Sequence, residues 1–470
     1  MRPPRRRRLL LSVLVVPLLV VVAVVVVAHA AASRSGKAPA VGVSRAGPRA
    51  VTPVFSVRRL PAPLVVTVRS SQLSLALKKV TDAVESSACL SVAVGGRVVV
   101  ADNANTPYLP GSNQKILTAA VALATLGEDF RFRTEVRGTL KSDGSVSRLV
   151  LVGGGDPLLS TDRYPKLGLN HYPPTDITRV EKLADDVVAA GVKSVDKLVG
   201  DASRYDRKVD APGWVNAISR GDASPLSALM INDGYIGTGS TRRSSSTQGA
   251  VEVFRALLEA RGVSVRSASE GKGTTAPVVA SIDSAPLATV VGEMLTTSDN
   301  ITAELVLKEI GRKVSKTGST AAGAKAMKDR LESWGIPVDG HVFADGSGLS
   351  EQDRVSCMTL VRVLAREGAD GAMFDGMAVA GKTGTLKALL KGTAAEGLLR
   401  AKTGTLKLTR ALSGYFPTQN GETIEFSFIV NGARAKTRAE SLWDDLVRGF
   451  ATYPSGPAPK DLGPLPVEVS

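Results

Sequence analysis

Histidine and cysteine are scarce in this 470-residue chain, which has three of the first (His29, His171, His341) and two of the second (Cys89, Cys357). No Cys/His group has zinc-ligand spacing, so neither a metal site nor a cofactor is expected. His29 lies in an apolar leader, so a Ser-His-Asp device would rest on one of two scattered histidines. A lysine is therefore the more natural base for any serine nucleophile. Aromatic residues make up only 4% of the chain, and no stretch strongly interleaves them with arginine. That argues against nucleic acid as the partner of a chain with net charge +15. Heptads and internal repeats are missing too, which excludes coiled coils and solenoids. Nothing in the sequence fixes an oligomeric state.

The N-terminus carries a targeting signal. MRPPRRRR is followed by an apolar run, Leu9 to Val27, broken only by Ser12 and Pro17, and then by the small-x-small triplet Ala28-His29-Ala30. The run is nearly long enough to span a bilayer, so a cleaved signal and a retained anchor both stay open. Either places the body outside the cytoplasm, secreted or anchored and facing the cell wall. The five leader arginines account for part of the charge and the remaining chain carries +10, which suits an anionic envelope surface or a plainly solvated one. In an oxidising compartment Cys89 and Cys357 form either a disulfide, closing a loop of more than 250 residues, or two buried thiols.

The texture of the sequence gives six blocks. Residues 1–30 are signal or anchor, 31–58 a flexible linker rich in Ala, Pro, Gly, Ser and Arg, and 59–131 the first part of a core. Residues 132–246 read as an inserted domain of mixed strands and loops with no recognisable chemistry, 247–453 as the second part of the core, and 454–470 as a Pro-rich tail. Helical spacing covers Gln72–Glu85, and Cys89–Val94 with Arg97–Ala101 reads as a hairpin around Gly95-Gly96. Strands are expected at Phe132–Leu140, Val146–Val152, Arg410–Phe416 and Thr423–Val430, and helices at Glu181–Ala190, Val251–Arg261, from Pro286, Ile301–Ile310 and Leu442–Phe450. The loop Asp201–Leu226 has Trp214 as its anchor.

Three short motifs carry chemistry. Ser112 and Lys115 open a helix and lie about one turn apart on one face, with the following Ile116–Leu126 almost wholly apolar. An amine within reach of a hydroxyl at a helix N-terminus makes a nucleophile. Ser298-Asp299-Asn300 fills a polar break between two helices, where Asn300 also suits an N-cap. Lys402-Thr403-Gly404-Thr405 leads into the strand pair 410–430 and suits a sheet edge that receives an extended peptide. A second Lys-Thr-Gly-Thr, at Lys382, is followed by helix or loop character interrupted by Gly392 and Gly397, and is set aside. Gly376–Thr383 (GMAVAGKT) spells a phosphate-loop pattern, but its apolar middle and polar approach do not suit that loop.

Ser-x-x-Lys, Ser-Asp-Asn and Lys-Thr-Gly in that order are the signature of serine β-lactamases and penicillin-binding proteins. LPGSNQKILTAAVALATLGEDFRFRT, SDNITAELVLKEIG, DGSGLS at 345–350, and VAGKTGTL followed by RAKTGTL extend the likeness. From about Leu60 to Leu446 the chain resembles the D-alanyl-D-alanine carboxypeptidase/endopeptidase family of class C penicillin-binding proteins. The 186 residues between Ser112 and Ser298 fit that family's insertion, and the upstream Val-Ala-Gly explains the Lys382 doublet as structural.

The resemblance implies an α/β (α+β) transpeptidase-like serine fold with an antiparallel sheet, flanking helices and an inserted mixed domain. It implies Ser112 as nucleophile, Lys115 as base, with its amine lowered by burial and by Lys402, and Ser298 as proton relay. Asn300, Lys402, Thr403, Gly404 and Thr405 would bind substrate, and the backbone N–H groups of Ser112 and Thr405 would form the oxyanion hole. The partners implied are peptidoglycan stem peptides, with β-lactams as inhibitors. A serine β-lactamase and a silent wall-binding scaffold are the alternatives, and no segment resembles the water-activating glutamate of class A β-lactamases.

Overall fold

A computed structural model describes residues 62–169, 173–236 and 243–454. The leader 1–30, the linker 31–58, His171 and all but the first residue of the 454–470 tail lie outside the described residues.

The chain opens with α1 (Ala62–Ala76) and the hairpin β1 (Ala88–Val94) and β2 (Arg97–Asp102). The helix expected over 72–85 starts earlier and breaks at Leu77, with a short helix, Lys78–Asp82, after it. A 3-10 turn, Gly111–Asn113, leads into α2 (Gln114–Leu126), which is buried from Gln114 to Leu123 and ends where the Gly127 N–H donates to the Leu123 carbonyl. The middle of the chain supplies β3 (Arg133–Arg137), β4 (Ser145–Val152), α3 (Val180–Ala189), β5 (Ser194–Asp201), α4 (Ser246–Glu259), β6 (Ser264–Glu270) and β7 (Val278–Asp283). Then come α5 (Leu287–Thr297), α6 (Asn300–Ser315), α7 (Thr320–Ser333) and α8 (Cys357–Glu367). The two-residue strand β8 (Ala378–Val379), the meander β9 (Arg400–Leu406), β10 (Thr409–Pro417) and β11 (Thr423–Asn431), and α9 (Ala435–Ala451) complete it.

The main sheet runs β8–β9–β10–β11–β1–β2, antiparallel throughout. Side chains alternate along each strand, so both faces need cover. On β10, Ala411 and Tyr415 join the core of α2, α5, α6, α7 and α8, whereas Leu412 and Phe416 join the core closed by α1 and α9 through Trp443 and Phe450. Cover on both faces buries the central strands along nearly their whole length, with Ser91, Ser413 and Ser427 among the apolar residues, and each fully buried large apolar side chain stabilises the fold by about 2 kcal/mol. Cys89 of β1 and Cys357, the first residue of α8, form a disulfide with Cα atoms 6.0 Å apart, fixing the sheet to a helix of the first core.

The second sheet runs β7–β3–β4–β5–β6. Its β4–β5–β6 part is parallel and its β7–β3–β4 part antiparallel. This differs from the expected insert boundary at 246, because the sheet closes only at Asp283. The helical texture after Gly249 reads as a return to the core but belongs to α4, the crossover that lets β5 and β6 run parallel. The expected strand Phe132–Leu140 is shorter, since the Phe132 ring is buried in the first core. The final helix is longer than Leu442–Phe450, beginning at Ala435. Among the described residues no helix is long and apolar enough to cross a membrane.

Candidate active site

The turn that carries Ser112 is clasped between two backbones. Gly111 has φ +53°, and a Cβ there would stand 3.0 Å from the Thr405 amide nitrogen of β9. On the other side a Cβ on Gly348, at φ +77°, would stand 1.9 Å from the Gly111 carbonyl oxygen. Only glycine at both positions lets β9 and the 345–350 turn approach Ser112 so closely. Asn113, one residue on, is wholly buried and donates to Ser413 Oγ of β10 at 2.6 Å, tying the turn to the sheet.

Lys115 is fully buried, and its amine donates three hydrogen bonds, to Ser112 Oγ at 3.1 Å, Asn300 Oδ1 at 2.8 Å and the Ser347 carbonyl at 2.7 Å. Burial lowers its pKa to about 8, against the pull of Asp345, Asp299, Asp353 and Glu304, which favour the charged form. Burial is thus the main cause. The repulsion between Lys115 and Lys402 disfavours charge on both amines. Lys402 is the group held well below the usual lysine range, first by burial and then by the nearby charges of Lys115 and Arg410.

The Ser298-Asp299-Asn300 break divides its labour. Ser298 ends α5 in the left-handed region, at φ 68° and ψ 31°. Asp299, not Asn300, caps α6 by accepting from the Thr302 N–H. Asn300 is thereby left to face Lys115 with Oδ1, while its Nδ2 donates to the Asp222 carbonyl at 3.0 Å.

Lys402 lies on β9 itself rather than ahead of the strands, and its amine donates to the Thr403 carbonyl at 2.9 Å. β9 has only the two-residue β8 beyond it, so most of its outer edge is open. The exposed Thr405 accepts from Arg410, which pairs with Glu440 at 2.8 Å. A cleft of about 400 Å³ is lined by Ser112, Asn300, Gly213, Gly348, Glu351 and Thr405, among others. Ser298, Lys402, Thr403 and Gly404 are not among its lining residues.

The doublet at Lys382 lies elsewhere. Its amine is mostly exposed and pairs with Glu396 at 2.9 Å, while Gly384 packs against the Thr296 carbonyl and braces the end of α5. GMAVAGKT runs through β8 into a 3-10 turn, Gly384–Leu386, and not into a helix.

Sequence reasoning missed two contributors. Asp345 folds the DGSGLS turn around its carboxylate, accepting from the backbone N–H groups of Ser347, Gly348, Leu349 and Ser350, from Ser347 Oγ, and from Trp214 Nε1 at 2.6 Å. An Asp before Gly-Ser-Gly is the available signal, since Asp side chains bond their own backbone a few residues on. The insert, expected to carry no chemistry, lines the cleft with Gly213, Val215 and Asp222. Behind the turn two buried carboxyls are held in the neutral direction by burial and by Asp345. Glu304 is raised to about 7, and Asp353 well above the carboxylate range. Among the described residues no cluster of His, Cys, Asp or Glu is arranged to hold a metal.

A family model described as the D-Ala-D-Ala carboxypeptidase 3 (S13) family matches residues 78–245 and 238–448. The chain is 33% identical to the carboxypeptidase DacB of Mycolicibacterium smegmatis, over 81% of this chain and 82% of that protein. It is 28% identical to the D-alanyl-D-alanine carboxypeptidase of an Actinomadura species, over 89% of this chain and 92% of that protein. Its backbone is similar to the crystal structure of penicillin binding protein 4 (dacB) from Haemophilus influenzae, with TM-score 0.66, 20% identity, and coverage of 80% of this chain and 98% of that one. That relative has also been solved in complex with a β-lactam. The fold is the transpeptidase/β-lactamase-like arrangement with an additional mixed-sheet domain.

Proposed function

This chain belongs to the D-Ala-D-Ala carboxypeptidase 3 (S13) family, and from that premise we propose how its residues carry out the serine carboxypeptidase reaction. Ser112 Oγ attacks the carbonyl of a terminal D-Ala-D-Ala bond, and its proton passes to the neutral Lys115 amine. The oxyanion is held by the backbone N–H groups of Ser112 and Thr405, an arrangement worth about 3 kcal/mol per donor in comparable enzymes. Collapse of the intermediate expels D-Ala, whose amine takes a proton through Ser298, and leaves the stem peptide esterified to Ser112. Water then attacks the ester and restores the hydroxyl. Asn300 steadies Lys115 and the peptide backbone, while Lys402, Thr403, Gly404 and Thr405 receive the terminal carboxylate along the open edge of β9. The observation that carries this reading is the fully buried Lys115 amine, 3.1 Å from Ser112 Oγ and also bonded to Asn300.

A β-lactam acylates the same serine and stalls. D-amino-acid cross-links between stem peptides present the same bond, so endopeptidase action belongs to the same proposal. Peptidoglycan lies outside the cytoplasm and so does the enzyme's work; we extend this to a secreted or N-terminally anchored protein. For the insert we propose bounds of about 133 and 283, those of the second sheet.

The test is labelling with a fluorescent penicillin followed by mass mapping of the adduct. A stable adduct on Ser112 supports the reading. Drug destroyed without an adduct would mean a β-lactamase, and intact drug without an adduct would mean a scaffold.

A further inference from the structure

Two of the three acceptors of the Lys115 amine, Asn300 and the Ser347 carbonyl, are themselves held by one loop of the insert. Asn300, which accepts from Lys115 through Oδ1, donates through Nδ2 to the Asp222 carbonyl at 3.0 Å. The Ser347 carbonyl belongs to the turn folded around Asp345, and Asp345 Oδ2 accepts from the Trp214 indole at 2.6 Å. Four of the donors to Asp345 come from the backbone of its own turn, whereas Trp214 reaches it from a segment 131 residues away. Next to Trp214, Gly213 packs so closely on the turn that a Cβ would stand 2.2 Å from Ser350 Oγ. Trp214 is 7% exposed, and its one donor is directed at a fully buried carboxylate. A charge-assisted bond of this kind is roughly twice as strong as a neutral one.

Resting on the assignment of Ser112 and Lys115 above, we infer that Trp214 is a positioning residue for the serine–lysine pair. Through Asp345 and the 345–350 turn it fixes the carbonyl that aims the Lys115 amine at Ser112, so the insert is part of the catalytic apparatus.

The experiment uses the full-length protein and a penicillin whose acylation is resolved into noncovalent binding and a limiting rate. Trp214→Phe keeps a ring and removes the N–H. Its limiting acylation rate should fall about tenfold, the loss expected for one charge-assisted hydrogen bond, with binding changed less than about twofold. A limiting rate within twofold of the parent, or a loss confined to binding, overturns the inference. If Trp214→Phe does not fold, Trp214→Tyr is read by the same split; Asp345→Asn, which turns one of the two accepting oxygens into a donor, is the partner for the double variant. The groups facing Lys115 are Asp345, Asp299, Asp353, Glu304 and Lys402. Removing the Asp345 charge from that set should move the pH midpoint of acylation downward, and an unmoved midpoint counts against the link. In the double variant the two losses should be less than additive, and full additivity refutes the coupling. An unlabelled Ser112 in the parent would instead sink the underlying assignment.

Discussion

The sharpest consequence of a buried Lys115 is the pH dependence of acylation. In the proposed mechanism only the neutral amine accepts the Ser112 proton, and burial brings its pKa to about 8. The neutral fraction is then roughly 1% at pH 6, about 10% at pH 7 and half at pH 8. Second-order acylation should therefore rise about tenfold per unit up to pH 7, bend near 8 and level off above it. A lysine at its ordinary value would be neutral roughly 300-fold less often at pH 7, so burial lowers the barrier by about 3 kcal/mol. The assay is the rate of labelling by a fluorescent penicillin at sub-saturating concentration, from pH 5.5 to 9.5, corrected for spontaneous drug hydrolysis. A flat profile between pH 6 and 9, or one still climbing tenfold per unit at 9.5, would refute the argument.

The same shift bears on stability with the opposite sign. The folded pKa lies below the unfolded one, so the penalty is absent above the unfolded value, grows as pH falls towards about 8 and is constant below that. Lys115→Met removes that penalty, about 3 kcal/mol at pH 7, but leaves three acceptors without their donor at about 1 kcal/mol each, so the net change at pH 7 should be near zero. Near pH 10 the parent has lost most of the penalty and the variant should be the less stable of the two by about 2 kcal/mol, as read by denaturant melts at both pH values. Ser112→Ala should abolish penicillin labelling and leave the circular dichroism spectrum unchanged. Lys402→Ala should reduce hydrolysis of a D-Ala-D-Ala peptide by roughly a hundredfold or more, and Lys382→Ala, whose amine only pairs with Glu396 at the surface, by less than about threefold. Breaking the bridge between Cys89 and Cys357, by changing both to Ala, should cost a few kcal/mol in a melt because it frees a loop of 268 residues.

Ser112 and Lys115 were legible because helical spacing is a local rule, and a buried helix announces itself in the eleven largely apolar residues Ile116–Leu126. Asn300 was legible only through the company it keeps. By itself it reads as a cap, and the structure gives that task to Asp299. The crossover α4 was misassigned because an amphipathic helix looks the same whether it covers one sheet or another. The strand under Lys402 was hidden since Lys-Thr-Gly-Thr has no clear alternation of apolar residues, its burial coming from Pro110, Asn113 and Ala411 across the fold. The role of Asp345 depends on partners as far off as Trp214, and no window of sequence holds both.

The order of strands in the main sheet also governs when the enzyme can exist. β1 lies between β2 and β11, so one of its edges waits for a partner that leaves the ribosome more than 300 residues later. Ser112 and Lys115 are made early, but β9, which packs against the turn that carries Ser112, comes near the end. A nascent chain, or one cut short before Asn431, thus carries its serine without a site around it. On the proposed mechanism, hydrolysis must wait until β9 and β11 have been made.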